Sequence, residues 1–153
     1  IYRFVFVNIH PRTDSTSIMF QGSTNSGSSY GITTTTTSFQ AVNRENDTGT
    51  EFLYNTGTDV AQSTSFFHIS NANANDADSG GSGTLTLFNP ANTTYVKHFI
   101  AQASTFYTST NVYAIHQLTA GYFNTTSAVN AIRFQMSSGN FDGTIYLYAI
   151  DNS

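Results

Sequence analysis

The chain has 153 residues, five Lys plus Arg against nine Asp plus Glu, a formal charge of −4, and neither Cys nor Trp. That length suits one domain with one apolar core. Aromatics at 14% and charged residues at only 9% exclude a disordered acidic chain, which would have the opposite balance; the lack of cysteine excludes disulfide staples and thiolate zinc.

A mildly acidic chain whose one lysine is Lys97 can release few counterions from a polyanion, so neither nucleic acid nor an anionic membrane is an expected partner. No apolar run nears the roughly 18 residues of a membrane-spanning helix, and membrane insertion is not expected. Polarity comes instead from 24 Thr, 18 Ser and 15 Asn. Thr, Tyr and Phe favour strands while Ser, Asn and Gly favour turns, so the composition reads as all-β.

Apolar residues recur with period two along the chain. Strands are predicted at 1–9, closed by Pro11, at 17–21, and at 30–39, where Thr33 to Thr37 supply five β-branched residues. A short strand follows at 51–54 and another at 63–70. The polar loop 71–81 precedes strands at 83–88, 95–103, 111–123, 128–136 and 143–150. In the last of these Ile145 and Leu147 face one way and Tyr146, Tyr148 and Ile150 the other, so both faces should be partly covered, by a core and by a neighbouring chain. Ser138-Gly139-Asn140 should reverse the chain tightly and register 128–136 against 143–150, with Gly139 at positive φ. Short strands with turns between them and no internal repeat give one domain over 1–153, an antiparallel jelly-roll-like β-sandwich.

Catalytic signals are sparse. His10, His68, His98 and His116 lack metal-ligand spacing. There is no Gly-x-Ser-x-Gly elbow and no Gly-x-x-x-x-Gly-Lys phosphate loop. Glu45 with Glu51 is the one carboxylate pair with which a glycosidase could be built, and a polar loop beside a short strand explains both equally well. The chain therefore reads as a non-enzyme needing no cofactor. Asn75, Asp76 and Asp78 loosely follow the oxygen-rich spacing of a calcium loop, without the EF-hand glycine and terminal Glu, and are the candidate metal ligands. Tyr30, Tyr54, Tyr107, Tyr113 and Tyr122 stand as candidate ligand-binding residues, since exposed tyrosines beside Asn, Asp and Gln stack and hydrogen-bond sugars; the competing role for each is core or subunit interface.

Four segments carry a resemblance: Gly83-Thr84-Leu85-Thr86-Leu87-Phe88-Asn89-Pro90, then Thr93-Thr94-Tyr95-Val96-Lys97-His98-Phe99, then Gly121-Tyr122-Phe123-Asn124-Thr125-Thr126-Ser127-Ala128-Val129-Asn130-Ala131-Ile132-Arg133-Phe134, and the closing Ser137-Ser138-Gly139-Asn140-Phe141-Asp142-Gly143-Thr144-Ile145-Tyr146-Leu147-Tyr148-Ala149-Ile150. With the opening Phe4-Val5-Phe6-Val7-Asn8-Ile9-His10-Pro11, they resemble a jelly-roll-like virion structural domain of tailed bacteriophages, of the type frequent in phages of marine bacteria. Ala149 stands where that closing pattern usually has Gly. The resemblance implies a non-enzymatic structural protein on the virion surface, a capsid decoration or tail or head fibre component. It implies a homo-oligomer, trimers being common, with other virion proteins as partners. The alternative is a lectin-like receptor-recognition domain of a tail fibre that binds host surface glycan.

Overall fold

The computed structural model describes residues 1–150. Ten strands follow in order: β1 (Tyr2–Pro11), β2 (Ile18–Ser23), β3 (Thr34–Arg44), β4 (Thr50–Tyr54), β5 (Phe67–His68), β6 (Gly81–Leu87), β7 (Lys97–Thr108), β8 (Val112–Phe123), β9 (Ala131–Met136) and β10 (Phe141–Ala149). They form a seven-stranded sheet in the order β10-β1-β6-β7-β8-β3-β4 and a three-stranded sheet in the order β5-β2-β9. Every pairing is antiparallel, and the chain passes repeatedly from one sheet to the other, giving a jelly-roll-like sandwich.

The period-two pattern sets which side chains face inward. Along β7, Phe99, Ala101, Ala103 and Thr105 are buried while His98, Ile100, Gln102 and Ser104 face solvent. Phe20 of β2 and Phe67 of β5 descend from the small sheet onto Phe99 of β7 and Phe123 of β8, and all four are buried. Ring centroids lie 4.8 Å apart for Phe67 and Phe99, stacked, and 5.1 Å for Phe20 and Phe99, edge to face. Phe134 of β9 meets Phe4 and Phe6 of β1 at 5.1 and 5.2 Å. Gly22 in β2 makes this approach possible, since a Cβ there would sit 2.7 Å from the Phe123 ring.

The small sheet covers only part of the large one. Over β8 and β3 the inner face turns polar, with Ser38, Gln117 and Thr119 buried under the segment that carries Thr58. Gln117 Nε2 donates to Ser38 Oγ at 3.0 Å and to Thr119 Oγ1 at 3.2 Å, and the Ser38 and Thr58 hydroxyls lie 2.8 Å apart. A hydroxyl network thus replaces apolar packing where loop, not sheet, is the lid.

Several expected boundaries shift for identifiable reasons. The strand expected at 30–39 starts at Thr34 and runs on to Arg44, because β8 offers an unbroken row of partners from Phe123 back to Tyr113. The strand expected at 63–70 shrinks to Phe67–His68, since neighbouring backbone groups are used elsewhere: Ser63 pairs with Thr34, and Ile69 N donates to Ile18 O. The expected 138–140 hairpin does not form. β9 pairs with β2 and β10 with β1, so Ser138-Gly139-Asn140 carries the chain between sheets.

Gly139 has φ 66°, as expected, and a Cβ there would collide with the Thr13 hydroxyl. Gly139→Val should therefore cost about 1–3 kcal/mol, the range for a non-glycine residue forced into left-handed backbone. Urea unfolding checks this, and Gly139→Asn should recover part of the loss because Asn tolerates that conformation.

Candidate functional site

The five candidate tyrosines fall in four places. Tyr30 lies 4.4 Å from the Arg133 guanidinium, whose other face is 4.6 Å from Phe66 and whose Nε donates to Gln21 Oε1 at 3.0 Å; this ring is part of a structural stack. Tyr54 on edge strand β4 is half exposed and donates its hydroxyl to Asp59 at 2.7 Å, a bond that raises its pKa. Tyr122 is on the outer face of the large sheet, its ring 5.9 Å from His98. Tyr107 and Tyr113 come together.

Their meeting follows from register. Tyr107 of β7 pairs directly with Tyr113 of β8, and Tyr113 pairs with Arg44 of β3. One ladder row on the inner face thus reads Tyr107, Tyr113, Arg44. Two residues along, the next row on that face reads Thr105, Ile115, Val42, Glu51, and beyond it lie Gln117 and Gln40. The tyrosine rings are neighbours, 5.8 Å between centroids and tilted by 31°, and Arg44 Cζ is 5.7 Å from the Tyr113 ring. Because the small sheet does not reach this end, the rows remain open as a cleft of about 380 Å³, walled by Asn71 and Ala72 of the long polar loop. Gln40 Oε1 accepts from Asn55 Nδ2 and Asn71 Nδ2, each at 3.0 Å, which commits its oxygen and leaves its Nε2 as the free donor. The Asn111 side chain, then Ser109 and Arg44, hold the Tyr113 phenol below its ordinary pKa against a smaller opposing effect of burial. Sequence reading placed Glu51 only in a catalytic pair, counted Asn71 only among the oxygens of the polar loop, and passed over Arg44 and Gln40. Glu51 lines the cleft, whereas Glu45 is exposed in the β3–β4 turn and does not.

A second feature lies at the opposite side of the sandwich. β10 is the outer strand of the large sheet, and β9 is the outer strand of the small one. Phe134 of β9 packs on β1, leaving the inner face of β10 largely uncovered: Leu147 is 57% exposed beside Tyr2, Ile132 and Pro90. On the outer face Tyr146 and Tyr148 are 50% and 53% exposed. The covering expected on both faces of this strand is thus only partial in the single chain, whose core takes Phe141 and Ile145 from it. From sequence, one face of this strand was expected against the core and the other against a neighbouring chain.

The candidate calcium residues Asn75, Asp76 and Asp78 are all exposed. Asn75 N donates to Asp14 Oδ1 at 3.3 Å, and Asp76 accepts through its backbone oxygen from Ser79. Among the described residues no group of three or more His, Asp or Glu is placed to hold a metal ion. His10 meets the Ser79 carbonyl at 3.0 Å, and His98 and His116 are exposed. His68 is half-buried in β5 with no partner for its Nδ1, and burial pushes the imidazole below its ordinary pKa of 6.5. Between those two values the unfolded chain binds more protons than the folded one, so stability falls as pH drops below 6.5. Thermal melts from pH 8 to pH 5 should show that decline, and His68→Phe should flatten it.

Comparison with protein-family models, curated proteins and solved structures gave no match.

Proposed function

We propose that the chain is a non-enzymatic structural domain of a tailed-phage virion, a surface-exposed capsid decoration or fibre component that acts by assembling with copies of itself and with other virion proteins. The observation that carries this reading is β10. An edge strand with unpaired backbone and exposed apolar side chains invites pairing with another chain unless charge or proline blunts it. β10 has no Pro and no Lys, and its one charged residue, Asp142, is near its start and bound to Arg12 at 2.6 Å.

The exposed surface is large enough for self-association. A fully buried aromatic covers about 150–250 Å², so half-exposed Tyr2, Tyr146, Leu147, Tyr148 and Ile150 together offer on the order of 500 Å² per copy. Edge-to-edge pairing would set both sides of the strand, Tyr2 and Leu147 on the inner and Tyr146 and Tyr148 on the outer, beside the partner. Two copies thus contribute up to about 1,000 Å² before the strand backbone is counted, approaching the roughly 1,200–2,000 Å² of stable interfaces. Antiparallel pairing of two β10 strands would also keep the two Asp142 carboxylates at opposite ends. The closing segment on which the phage resemblance most depends includes this same strand.

Electron microscopy of phage particles with a gold-conjugated antibody against the domain tests the location. Label on heads or tails supports the reading, and particles that carry the protein in their lysate yet bind no label contradict it. The alternative of host-glycan recognition draws its support from the Tyr107–Tyr113 cleft and is compatible with assembly, because the two features occupy different sides of the sandwich.

A further inference from the structure

We propose that the cleft lined by Tyr107 and Tyr113 binds a neutral saccharide, one pyranose ring packing against tyrosine surface with its hydroxyls held by Arg44, Glu51 and Gln40. The inference rests on the glycan-recognition reading and gives it a site and a ligand class.

Three observations converge on it. The two neighbouring, tilted rings line the cleft from one sheet face, and both tyrosines are half-buried, so their orientation is fixed while aromatic surface stays accessible to the C–H face of a sugar. The cleft, about 380 Å³, is of ligand-pocket size. Its polar groups supply both donors and acceptors: Arg44 and Gln40 Nε2 donate and Glu51 accepts. A sugar hydroxyl needs both kinds at once.

Charge narrows the ligand class. Arg44 and Glu51 line the same cleft without forming an ion pair, since Arg12 with Asp142 is the one pair within 4 Å among the described residues. Their opposite charges leave the cleft with no net attraction for a polyanion, unlike a phosphate or sialic-acid site, which gathers cationic donors. Glu51 is also the sole carboxylate in the lining. Glycoside hydrolysis uses two carboxyl groups about 5–9.5 Å apart, so the arrangement suits binding without cleavage.

Saturation-transfer NMR tests this on the intact chain. The probes are glucose, galactose, mannose and N-acetylglucosamine oligosaccharides, with sialyllactose and inorganic phosphate as acidic comparators. Transfer to at least one neutral probe is expected, weakened about tenfold by Tyr113→Ala and by Glu51→Gln and unchanged by Tyr54→Ala on the far face of β4. Glu51 is exposed, so its substitution leaves the fold intact if Tyr113→Ala does not. No transfer from any neutral probe overturns the proposal, as does transfer that survives both cleft substitutions or is confined to sialyllactose or phosphate. A chain that still self-associates but binds no saccharide removes this inference and leaves the assembly reading standing.

Discussion

Phe20→Ala is expected to destabilise the fold by about 3–5 kcal/mol, the range for removing a buried phenyl ring from a packed core. Phe20 is fully buried and is the ring on which the two sheets meet. It touches Phe67 within its own sheet, Phe99 and Phe123 across the sandwich, and Phe134 on β9. These partners come from four strands held by their own ladders, so none can move in to fill the space, and a cavity remains. Phe20→Leu should recover much of the loss. Denaturant midpoints at constant slope measure both, and a loss below about 1 kcal/mol for the alanine variant would show that the core collapses around the gap.

Lys97→Met should cost about 3 kcal/mol, an unusual result for the one lysine of a chain, since lysines are mostly solvated. Lys97 is fully buried at the start of β7. Its ammonium donates to the carbonyl oxygens of Tyr95 at 2.5 Å and of Thr125 and Thr126 at 3.3 Å each. The last two belong to the segment leaving β8, so one side chain joins the entry to one central strand to the exit from its neighbour. Burial pushes the amine below its ordinary pKa, which marks the desolvation that the three carbonyls offset. Methionine keeps the stem and removes the donor. The three carbonyls are only part-buried, so losing their common donor costs about 3 kcal/mol in all, the upper end for one unsatisfied buried group. A melting temperature equal to that of the unsubstituted protein would show that these carbonyls find water instead.

Strand positions were legible where side chains alternate strictly, as in β8 and the first half of β7, because burial on one face writes period two into the sequence. Pairing was not. The polar residues Gln40, Asn43 and Arg44 look like the end of a strand, and only the length of β8 shows why β3 continues through them. The turn at Ser138-Gly139-Asn140 has hairpin chemistry, and its glycine has the expected positive φ, yet the flanking strands join different sheets. Local turn signals specify backbone conformation, whereas partner choice depends on distant residues.

The candidate site was legible in part for the same reason. Tyr107 and Tyr113 are equally spaced about Thr110, so a hairpin turn there places them opposite each other; ending the strand at Ala103 hid that symmetry. Arg44 and Glu51 join them only through β3 and β4, far away in sequence. Lys97 left no trace at all, because burial of an isolated lysine depends on carbonyls that no sequence pattern displays. The exposed face of β10 was readable as apolar on both sides, and what the sequence could not show is that β9 stops short of covering it.

The most direct test of assembly is sedimentation equilibrium of the chain over a hundredfold concentration range, beside a variant carrying Leu147→Asp and Tyr148→Lys. Both positions are more than half exposed in the single chain, so the substitutions leave its core intact. The account predicts an oligomer for the unsubstituted protein, with the variant sedimenting as one folded chain. A monomer at every concentration, or an oligomer that the variant forms equally well, would contradict it.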